Sequence, residues 1–253
     1  MRAAVLIGFT GLLLAIDVHD AHAQRVSVPR SEKVRVSINV GAQLSSTTFS
    51  STTTTTPVFL ETASINTSYT VPKGKLFDGG FLYRPFGRFG VGVSLSSFSE
   101  RSDGAITGSI PHPFFFNTPR TLTGTAASLE RSEFAADIQA AYLYQSRRYD
   151  VVISGGPTIF RVSQDLVSNA AYTETYPYDS VTFTSATIVK AEGTKTGFNV
   201  GADIAYKLSK ALGVGGLVRF SRATVSLPLT SSASGVSVDA GGLQVAGGVR
   251  FYF

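Results

Sequence analysis

The chain has 253 residues and a mass of 26.8 kDa, enough for one large domain or two small ones. Charged residues make up only 15% of the chain and the mean hydropathy is +0.16, so an intrinsically disordered chain is excluded. There is no cysteine, which excludes a disulfide framework, a cysteine-based zinc site and a thiol nucleophile.

The first 23 residues are typical of a secretory signal peptide. Residues 3–16 form an apolar run that is shorter than the roughly 20 residues a membrane-spanning helix needs. Ala21 and Ala23, separated by one residue, then give the small-x-small pattern of a cleavage site. We therefore predict that residues 1–23 are removed and that the mature chain is exported, with residues 24–33 as a short periplasmic tail. The alternative is an N-terminal core helix.

From residue 34 onward, apolar and polar residues alternate in one segment after another. Alternation with a period of two indicates a β-strand with one apolar face. Eight such strands are predicted, each with an alternating part close to the 9–11 residues that cross a bilayer at a tilt. They lie at about 34–45, 75–86, 89–99, 125–144, 150–163, 187–208, 212–225 and 237–253.

Two segments of this pattern do not follow simple alternation, so their strand structure needs a separate interpretation. In the strand at 150–163, Arg161 would join the apolar row unless the register slips, so a β-bulge at residues 155–157 is predicted. The first long connection holds two further strand-like pieces, 58–60 and 68–71. We expect them to extend the flanking strands. Alternatively they pair as an extra hairpin, which would make ten strands.

Long and short connections alternate along the chain. Those near 46–74, 100–124 and 164–186 are long, whereas those near 86–88 and 145–149 are short. Short turns on one side and long loops on the other are typical of transmembrane β-barrels. In such a barrel the apolar row faces lipid and the polar row fills the lumen, whereas a soluble exported barrel has the reverse arrangement.

The charged and aromatic residues favour the membrane barrel. Eight charged residues lie in polar rows, where a narrow lumen could hold them as ion pairs, such as Asp137 and Asp203 with Arg219 or Arg250. A lipid-facing Arg or Lys near the midplane would instead cost about 2–4 kcal/mol. The apolar rows end in aromatic residues beside the short turns, as an interfacial girdle requires. The charged residues are Arg35, Asp78, Arg84, Asp137, Asp203, Lys207, Arg219 and Arg250; the aromatic residues are Tyr83, Phe86, Tyr142, Tyr144, Tyr206, Phe251 and Phe253.

An exported chain of eight alternating strands that ends on phenylalanine resembles the small OmpA/OmpX-like β-barrels of the bacterial outer membrane. The resemblance covers residues 34–253 and implies an all-β, closed, antiparallel up-and-down transmembrane barrel. Phe251 and Phe253 resemble the C-terminal signal read by the barrel-assembly machinery, and Gly248 stands at its glycine position. Ala246 departs from that signal, which usually has a polar residue there. The implied partners are outer-membrane lipid and the assembly machinery, and we expect a monomer.

The mature sequence indicates little catalytic chemistry. Its one histidine, His112, lies between two prolines and before a Phe triplet, which favours a rigid loop tip over a catalytic base. No spacing indicates a metal or a cofactor, and no cluster of basic residues indicates nucleic-acid binding. The predicted role is therefore envelope structure or surface interaction through the long loops, with an unknown partner. The alternatives are a narrow pore for ions or small solutes and, less favoured, a barrel enzyme acting on lipid A or peptides.

Overall fold

The computed structural model describes residues 32–54, 59–228 and 235–253. The predicted signal peptide, with Ala21 and Ala23, and most of the predicted tail lie outside these residues. In the described part of the chain, no helix is long and apolar enough to cross a membrane. Its ten strands are β1 (Val34–Gln43), β2 (Thr47–Thr54), β3 (Ser64–Val71), β4 (Gly74–Phe86), β5 (Phe89–Ile110), β6 (Arg120–Gln145), β7 (Tyr149–Glu174), β8 (Val181–Lys207), β9 (Leu212–Leu227) and β10 (Val236–Tyr252).

Eight of these strands close into a ring in which all neighbours are antiparallel. The order around the ring is β1, β4, β5, β6, β7, β8, β9 and β10, and the ladder between β1 and β10 closes it. Short turns join the strands at one end, and the long hairpins project from the other. The predicted eight-stranded up-and-down barrel is confirmed.

β2 and β3 form a hairpin that prolongs the barrel wall beyond the ring. β2 follows closely after β1, β3 leads directly into β4, and β3 pairs with the upper part of β5. Residues 68–71 thus extend the wall as part of β3, as expected, but the expectation is wrong for Phe59 and Leu60, which lie in no strand. The alternative is right that an extra hairpin forms and that the described residues hold ten strands. Its pairing is wrong, because residues 68–71 pair with residues 47–50, and Phe59 and Leu60 lie in a turn with φ of 52° and 69°.

The outer surface of the ring is an apolar band bordered by aromatic side chains. On β1 the apolar row runs from Val34 to Leu44. Ten residues at a rise of about 3.3 Å and a tilt of about 40° span about 25 Å, which matches the apolar band of an outer-membrane barrel. Six predicted girdle residues beside the short turns are exposed, namely Tyr83, Phe86, Tyr142, Tyr144, Tyr206 and Phe253, and Phe251 is half-buried. Phe89 and Tyr149 join them in the structure.

Beyond the band, towards the long loops, the strands exchange their apolar and polar faces. On β5, Val93 and Leu95 face outward, whereas Ile106 and Ile110 are buried inside the barrel. The exchange follows the solvent, because the outer wall meets lipid in the band and water above it. Inward-facing apolar residues of β3, β5, β6, β7, β9 and β10 therefore build a core in the long-loop half. Much of what the sequence predicted as loop at 100–124 and 164–186 is consequently strand.

The predicted bulge in β7 is wrong. The ladder between β6 and β7 keeps the same register on both sides of residues 155–157. Arg161 does share the outward row with Ile159, but it lies above the band, where its Nη2 is 2.8 Å from Glu192 Oε2 in an exposed ion pair. Because water surrounds this arginine, no register slip is needed to keep it out of lipid.

The backbone of β1 lies close to Gly248 of β10. An ideal Cβ at this position would lie 1.9 Å from the Ile38 carbonyl oxygen and 2.8 Å from the Asn39 Cα. Since both are backbone atoms, Gly248→Ala must push the strands apart, and we expect a loss of about 1–3 kcal/mol in unfolding free energy. The measurement is the temperature at which the folded gel band converts to the unfolded one. Gly247→Ala is the control, because the nearest atom to its Cβ is 3.8 Å away; equal conversion temperatures for both variants would contradict the prediction.

Candidate functional site

Charged side chains fill the lumen within the apolar band. At the centre lies Arg219 of β9, which is 2% exposed and forms ion pairs with Asp78 and Asp137. Its Nη1 also donates to Ser94 Oγ (2.7 Å), and its Nε donates to Gln244 Oε1 (3.1 Å). The planar guanidinium has five N–H donors, so one side chain can bond groups on several strands. Arg219 thereby connects β9 with β4, β5, β6 and β10.

The two carboxylates that pair with Arg219 have further hydrogen bonds. Asn39 Nδ2 donates to Asp78 Oδ1 (2.7 Å). Ser94 Oγ and Thr158 Oγ1 donate to the two oxygens of Asp137, at 2.8 and 2.6 Å. Buried charges are tolerated when they are paired and hydrogen-bonded in this way. The cluster is therefore built as a packed structural element.

A second charged cluster lies closer to the short turns. Asp203 accepts from Arg250 Nη2 (2.7 Å) and from Arg35 Nη1 (3.2 Å). Arg35 Nη1 also lies 3.2 Å from Asp150 Oδ2. All four residues are buried. They join β10, β8, β1 and β7 across the lumen.

The remaining two predicted charges lie at the mouth of the barrel on the short-turn side. Lys207 forms an ion pair with Glu32, and its Nζ stands 4.6 Å from the centre of the Tyr252 ring. Arg84 donates to Gln145 and to the backbone oxygen of Glu32. Next to this mouth, Leu82, Ala141, Leu143 and Val152 form a small apolar cluster. The structure thus brings Asp137 to Arg219 and Asp203 to Arg250, and it places Arg84 and Lys207 apart from both clusters.

The space left within the lumen is small. A cavity of about 40 Å³ lies between the two charged clusters, lined by residues such as Arg35, Asp78 and Gln139. About 10–15 Å³ of such space is enough to hold one water molecule, so the cavity has room for a few. The described residues above it belong to the apolar core, and those below it belong to the cluster at the mouth. In the described part of the chain, charged and apolar side chains therefore occupy the lumen on both sides of this cavity.

A buried ion pair of β6 makes hydrogen bonds to β10 beyond the point where the ladder between β10 and β1 ends. Above Gln244 the ladder between β10 and β1 ends, and Gly241 and Gly242 have φ of 84° and 132°. Arg131 Nε donates to Glu133 Oε1 (2.7 Å). Arg131 Nη2 donates to the Asp239 carbonyl oxygen (2.7 Å), and the Gly241 N–H donates to Glu133 Oε2 (2.8 Å). The pair thus provides the hydrogen bonds that an adjacent strand would otherwise make to β10.

The tips of three long hairpins are tied together. His112, which is 4% exposed, accepts the backbone N–H of Phe114 and of Phe115 at Nδ1, at 3.1 and 3.3 Å. Arg120 donates to the Pro111 and Tyr178 carbonyl oxygens, at 2.7 and 3.0 Å, and forms an ion pair with Glu174. The Asn117 N–H donates to Glu61 Oε1 (3.0 Å), and the rings of Phe114 and Tyr178 meet edge to face at 5.6 Å. These bonds join the tips of the β2–β3, β5–β6 and β7–β8 hairpins.

This connected region presents an apolar surface to solvent. Its exposed side chains are Leu60, Phe114, Phe115, Phe116 and Tyr176, with exposed fractions from 60% to 86%. Large apolar side chains gathered on an exposed surface are uncommon unless they bind something. We name these five residues the tip surface. His112 belongs to its support, because its ring orders the backbone that carries two of the phenylalanines.

The distribution of charged and apolar side chains decides the type of barrel. Six of the eight predicted charges are buried in the lumen, the other two lie at its mouth, and the exposed wall around them is apolar. A soluble barrel would have the opposite arrangement. The chain has the fold of a small outer-membrane β-barrel.

Comparison with known proteins finds similar structures at low sequence identity. No protein family and no curated protein matches the chain. The outer-membrane protein OprG of Pseudomonas aeruginosa is 7% identical, covers 88% of this chain and 96% of its own, and gives a TM-score of 0.49. The outer-membrane protease OmpT of Escherichia coli is 8% identical, with coverages of 90% and 99% and a TM-score of 0.49. Neisserial surface protein A is 13% identical, with coverages of 87% and 97% and a TM-score of 0.41. The likeness concerns the fold alone.

Several residues that matter in this outer-membrane barrel were not predicted from the sequence. Asp150 directly follows a short turn, and Arg131 and Glu133 stand in the inward row of β6, so continued alternation from Asp137 would have found the latter two. The tip surface had no such signal, since Phe114 and its neighbours follow no period. Among the described residues, no group of three or more histidine, aspartate or glutamate side chains could hold a metal ion.

The exposed ion pair above the band makes a prediction about pH. The hydrogen bond from Arg161 holds the pKa of the Glu192 carboxyl below its ordinary value. The pair therefore contributes at pH values above the ordinary carboxyl pKa, and its contribution is lost as the pH falls through the lowered one. Arg161→Gln should raise the pKa of Glu192 towards the ordinary value in an NMR titration of the carboxyl carbon. Arg222→Gln should leave it unchanged; an unchanged pKa in Arg161→Gln would refute the assigned cause.

Proposed function

We propose that this protein is a non-enzymatic barrel of the bacterial outer membrane that acts at the cell surface through its long loops. The observation that carries the proposal is the tip surface, held in place by bonds between three hairpins. Such preorganisation lowers the ordering cost of binding a partner. The filled lumen supports the same reading, because it leaves the loops as the accessible part of the molecule.

The filled lumen argues against the alternative of a narrow pore. An eight-stranded barrel encloses only enough space for its own side chains, and here Arg219 and its partners occupy it. We expect the purified protein to give no steady openings in planar lipid bilayers. Steady openings of defined conductance would overturn the proposal in favour of transport.

The environment of His112 supports a non-enzymatic role. Its Nδ1 accepts two backbone N–H groups, and its Nε2 lies 3.8 Å from Asp179 Oδ1. A general base needs a nitrogen within reach of substrate, which a buried ring engaged with its own loop does not provide. We expect cells carrying His112→Ala to show the same lipid A profile and the same proteolysis of a peptide panel as wild type. A difference that His112→Ala causes without loss of the folded protein would favour the enzyme.

The surface role is tested by removing the aromatic groups of the tip. Phe114, Phe115 and Phe116 are replaced together by serine, and cells displaying this variant are compared with wild type for attachment to other cells and to coated surfaces. The control replaces Thr121, Thr123 and Thr125, which are exposed on the same hairpin, by alanine. We expect attachment to fall in the serine variant only. Equal attachment of wild type and serine variant on every surface would count against the tip.

Biogenesis through the barrel-assembly machinery forms part of the proposal. The Phe253 N–H donates to the Val34 carbonyl oxygen (2.9 Å), so the strand that carries Phe251 and Phe253 forms the closing seam of the ring. A terminal recognition segment on the strand that closes the barrel would be engaged before closure. This supports the role in assembly that the resemblance implies for Gly248, Phe251 and Phe253.

A further inference from the structure

The wall of the barrel has a cleft at the upper edge of the apolar band. The ladder between β1 and β10 ends with Gln43 opposite Gln244. Two more bonds follow, from Leu44 N–H to the Leu243 oxygen (2.7 Å) and from Leu243 N–H to Ser45 Oγ (2.9 Å). Beyond this point β2 pairs with β3 and the upper part of β10 pairs with β9, and no ladder between described residues joins β2 to β10.

The cleft has a mixed lining, in which Phe220 and Ala240 accompany polar groups, and a volume of about 170 Å³. Hydroxyl groups come from Ser45, Thr47 and Ser221, and an exposed ion pair comes from Arg222 and Asp239, whose Nη2 and Oδ2 atoms lie 2.9 Å apart. Gly241 and Gly242 form part of the wall, and the Ser45 side chain lies against Gly242. The cleft therefore offers donors, acceptors and one charge of each sign at the level where lipid headgroups meet the barrel.

Ser221 is the sign that the cleft is built to receive a polar group. The residue is 2% exposed, and no hydrogen-bond partner for its Oγ lies among the described residues. A buried hydroxyl without a partner is rare, because it has lost its hydrogen bonds to water and has gained none in the protein. The Oγ lies close to the glycine backbone, 2.8 Å from an ideal Cβ at Gly241. A ligand hydroxyl in the cleft would complete its bonding.

The lipid-facing wall below the cleft has a furrow. Gly247 of β10 stands opposite Gly216 of β9, and an ideal Cβ on either would be 3.8 Å from the nearest atom, so both face open space. Val40 and Ile204 flank this pair on the neighbouring strands. Five residues of strand separate the furrow from the cleft, about 16 Å at about 3.3 Å per residue. An acyl chain descending from the cleft would pass over the two glycines.

We propose that the cleft binds the sugar head of an outer-leaflet glycolipid and that one of its acyl chains lies in the furrow. Sugar hydroxyls both donate and accept, which suits Asp239 as acceptor, Arg222 as donor and Ser221 as either. A head that offers only a phosphate would place its charge beside the Asp239 carboxylate. The position of the cleft at the upper edge of the band matches the depth of a glycolipid head.

The test uses the full mature barrel in phosphatidylcholine nanodiscs that contain either lipid A or phosphatidic acid, whose head offers only a phosphate. Native mass spectrometry counts the lipid that remains bound as collision energy increases. We expect one lipid A per barrel, retained about tenfold more than phosphatidic acid, which is a difference of about 1.4 kcal/mol. Equal retention of the two lipids would overturn the sugar-binding proposal, as would the absence of retained lipid A.

Variants test whether the retained lipid binds in the cleft and the furrow. Arg222→Gln and Ser221→Ala should each lower lipid A retention severalfold, whereas Arg161→Gln, which removes an exposed arginine at a similar height on β7, should not. Gly247→Leu should lower retention by filling the furrow, whereas Ala140→Leu places the same side chain on the lipid-facing wall of β6 and should not. Heat-modifiability checks that each variant is folded. Retention that falls equally in test and control variants would overturn the assigned site. The lipid preference itself is measured on the wild-type protein and does not depend on any variant.

Discussion

Arg219→Ala is expected to lower the free energy of unfolding by about 3–5 kcal/mol, the usual result of removing one partner from a buried ion pair. The substitution leaves Asp78 and Asp137 buried without their shared cation, although Asn39, Ser94 and Thr158 still donate to them. It also removes the one side chain that connects β9 with four other strands. Urea unfolding of the barrel in detergent, followed by the gel shift between folded and unfolded bands, gives the measurement.

Two controls distinguish the cost of leaving carboxylates buried and unpaired from the cost of losing the contacts of the arginine side chain. Arg161→Ala removes an arginine whose ion pair is exposed, and it should leave the unfolding midpoint unchanged. Adding Asp78→Asn and Asp137→Asn to Arg219→Ala removes the uncompensated charges and should restore part of the lost stability. A barrel in which Arg219→Ala unfolds at the wild-type midpoint would show that the cluster is not packed as described.

Glu133→Ala is expected to destabilise the barrel by a similar amount, about 3–5 kcal/mol, for two reasons that act together. It leaves the Arg131 guanidinium buried without its anion, and it deprives the Gly241 N–H of its acceptor. Because that acceptor substitutes for a neighbouring strand, the upper part of β9 and β10 should lose its attachment to the wall. Hydrogen exchange at Gly241 should therefore accelerate more than exchange in the band, for example at Val249.

The matched control for Glu133 lies on the same strand. Glu130 pairs with Arg101 in an exposed position, so Glu130→Ala should leave both the unfolding midpoint and exchange at Gly241 unchanged. Glu133→Gln keeps an oxygen acceptor but removes the charge, and it should fall between wild type and Glu133→Ala. If Glu130→Ala and Glu133→Ala unfold alike, the seam is not closed by the buried pair.

The sequence predicted the barrel well where one physical environment governs a whole strand. Alternation between apolar and polar residues reports which face meets lipid, so it located the eight ring strands and the inward row that holds Arg35 or Arg250. It failed where the environment changes along a strand. Above the band the apolar residues move to the inner row, and Ile106 and Ile110 therefore looked like loop residues. Arg161 was misread for the same reason, because it was assumed to lie in lipid.

Contacts across the lumen follow a different rule from contacts along a strand. Which aspartate meets Arg219 depends on how far each strand is staggered around the ring, and that stagger is not visible in any single segment. The choice of Asp137 for Arg219 was available only as one of several pairings, and the pairing of Arg35 with Asp150 was not foreseen. The tip surface depends on three hairpins meeting, so no local pattern could announce it.

The length of β5 sets how far the protein stands out from the cell. The strand continues for fifteen residues from Leu95, at the top of the band, to Ile110. At about 3.3 Å per residue and a tilt of about 40°, this carries Phe114 and its neighbours about 40 Å beyond the bilayer. Whether the tip surface is accessible then depends on its height above the bilayer relative to the thickness of the surface saccharide. On a cell with a short surface saccharide the aromatic residues would be the outermost contact, whereas a thick polysaccharide coat would hide them from antibodies and from other cells alike.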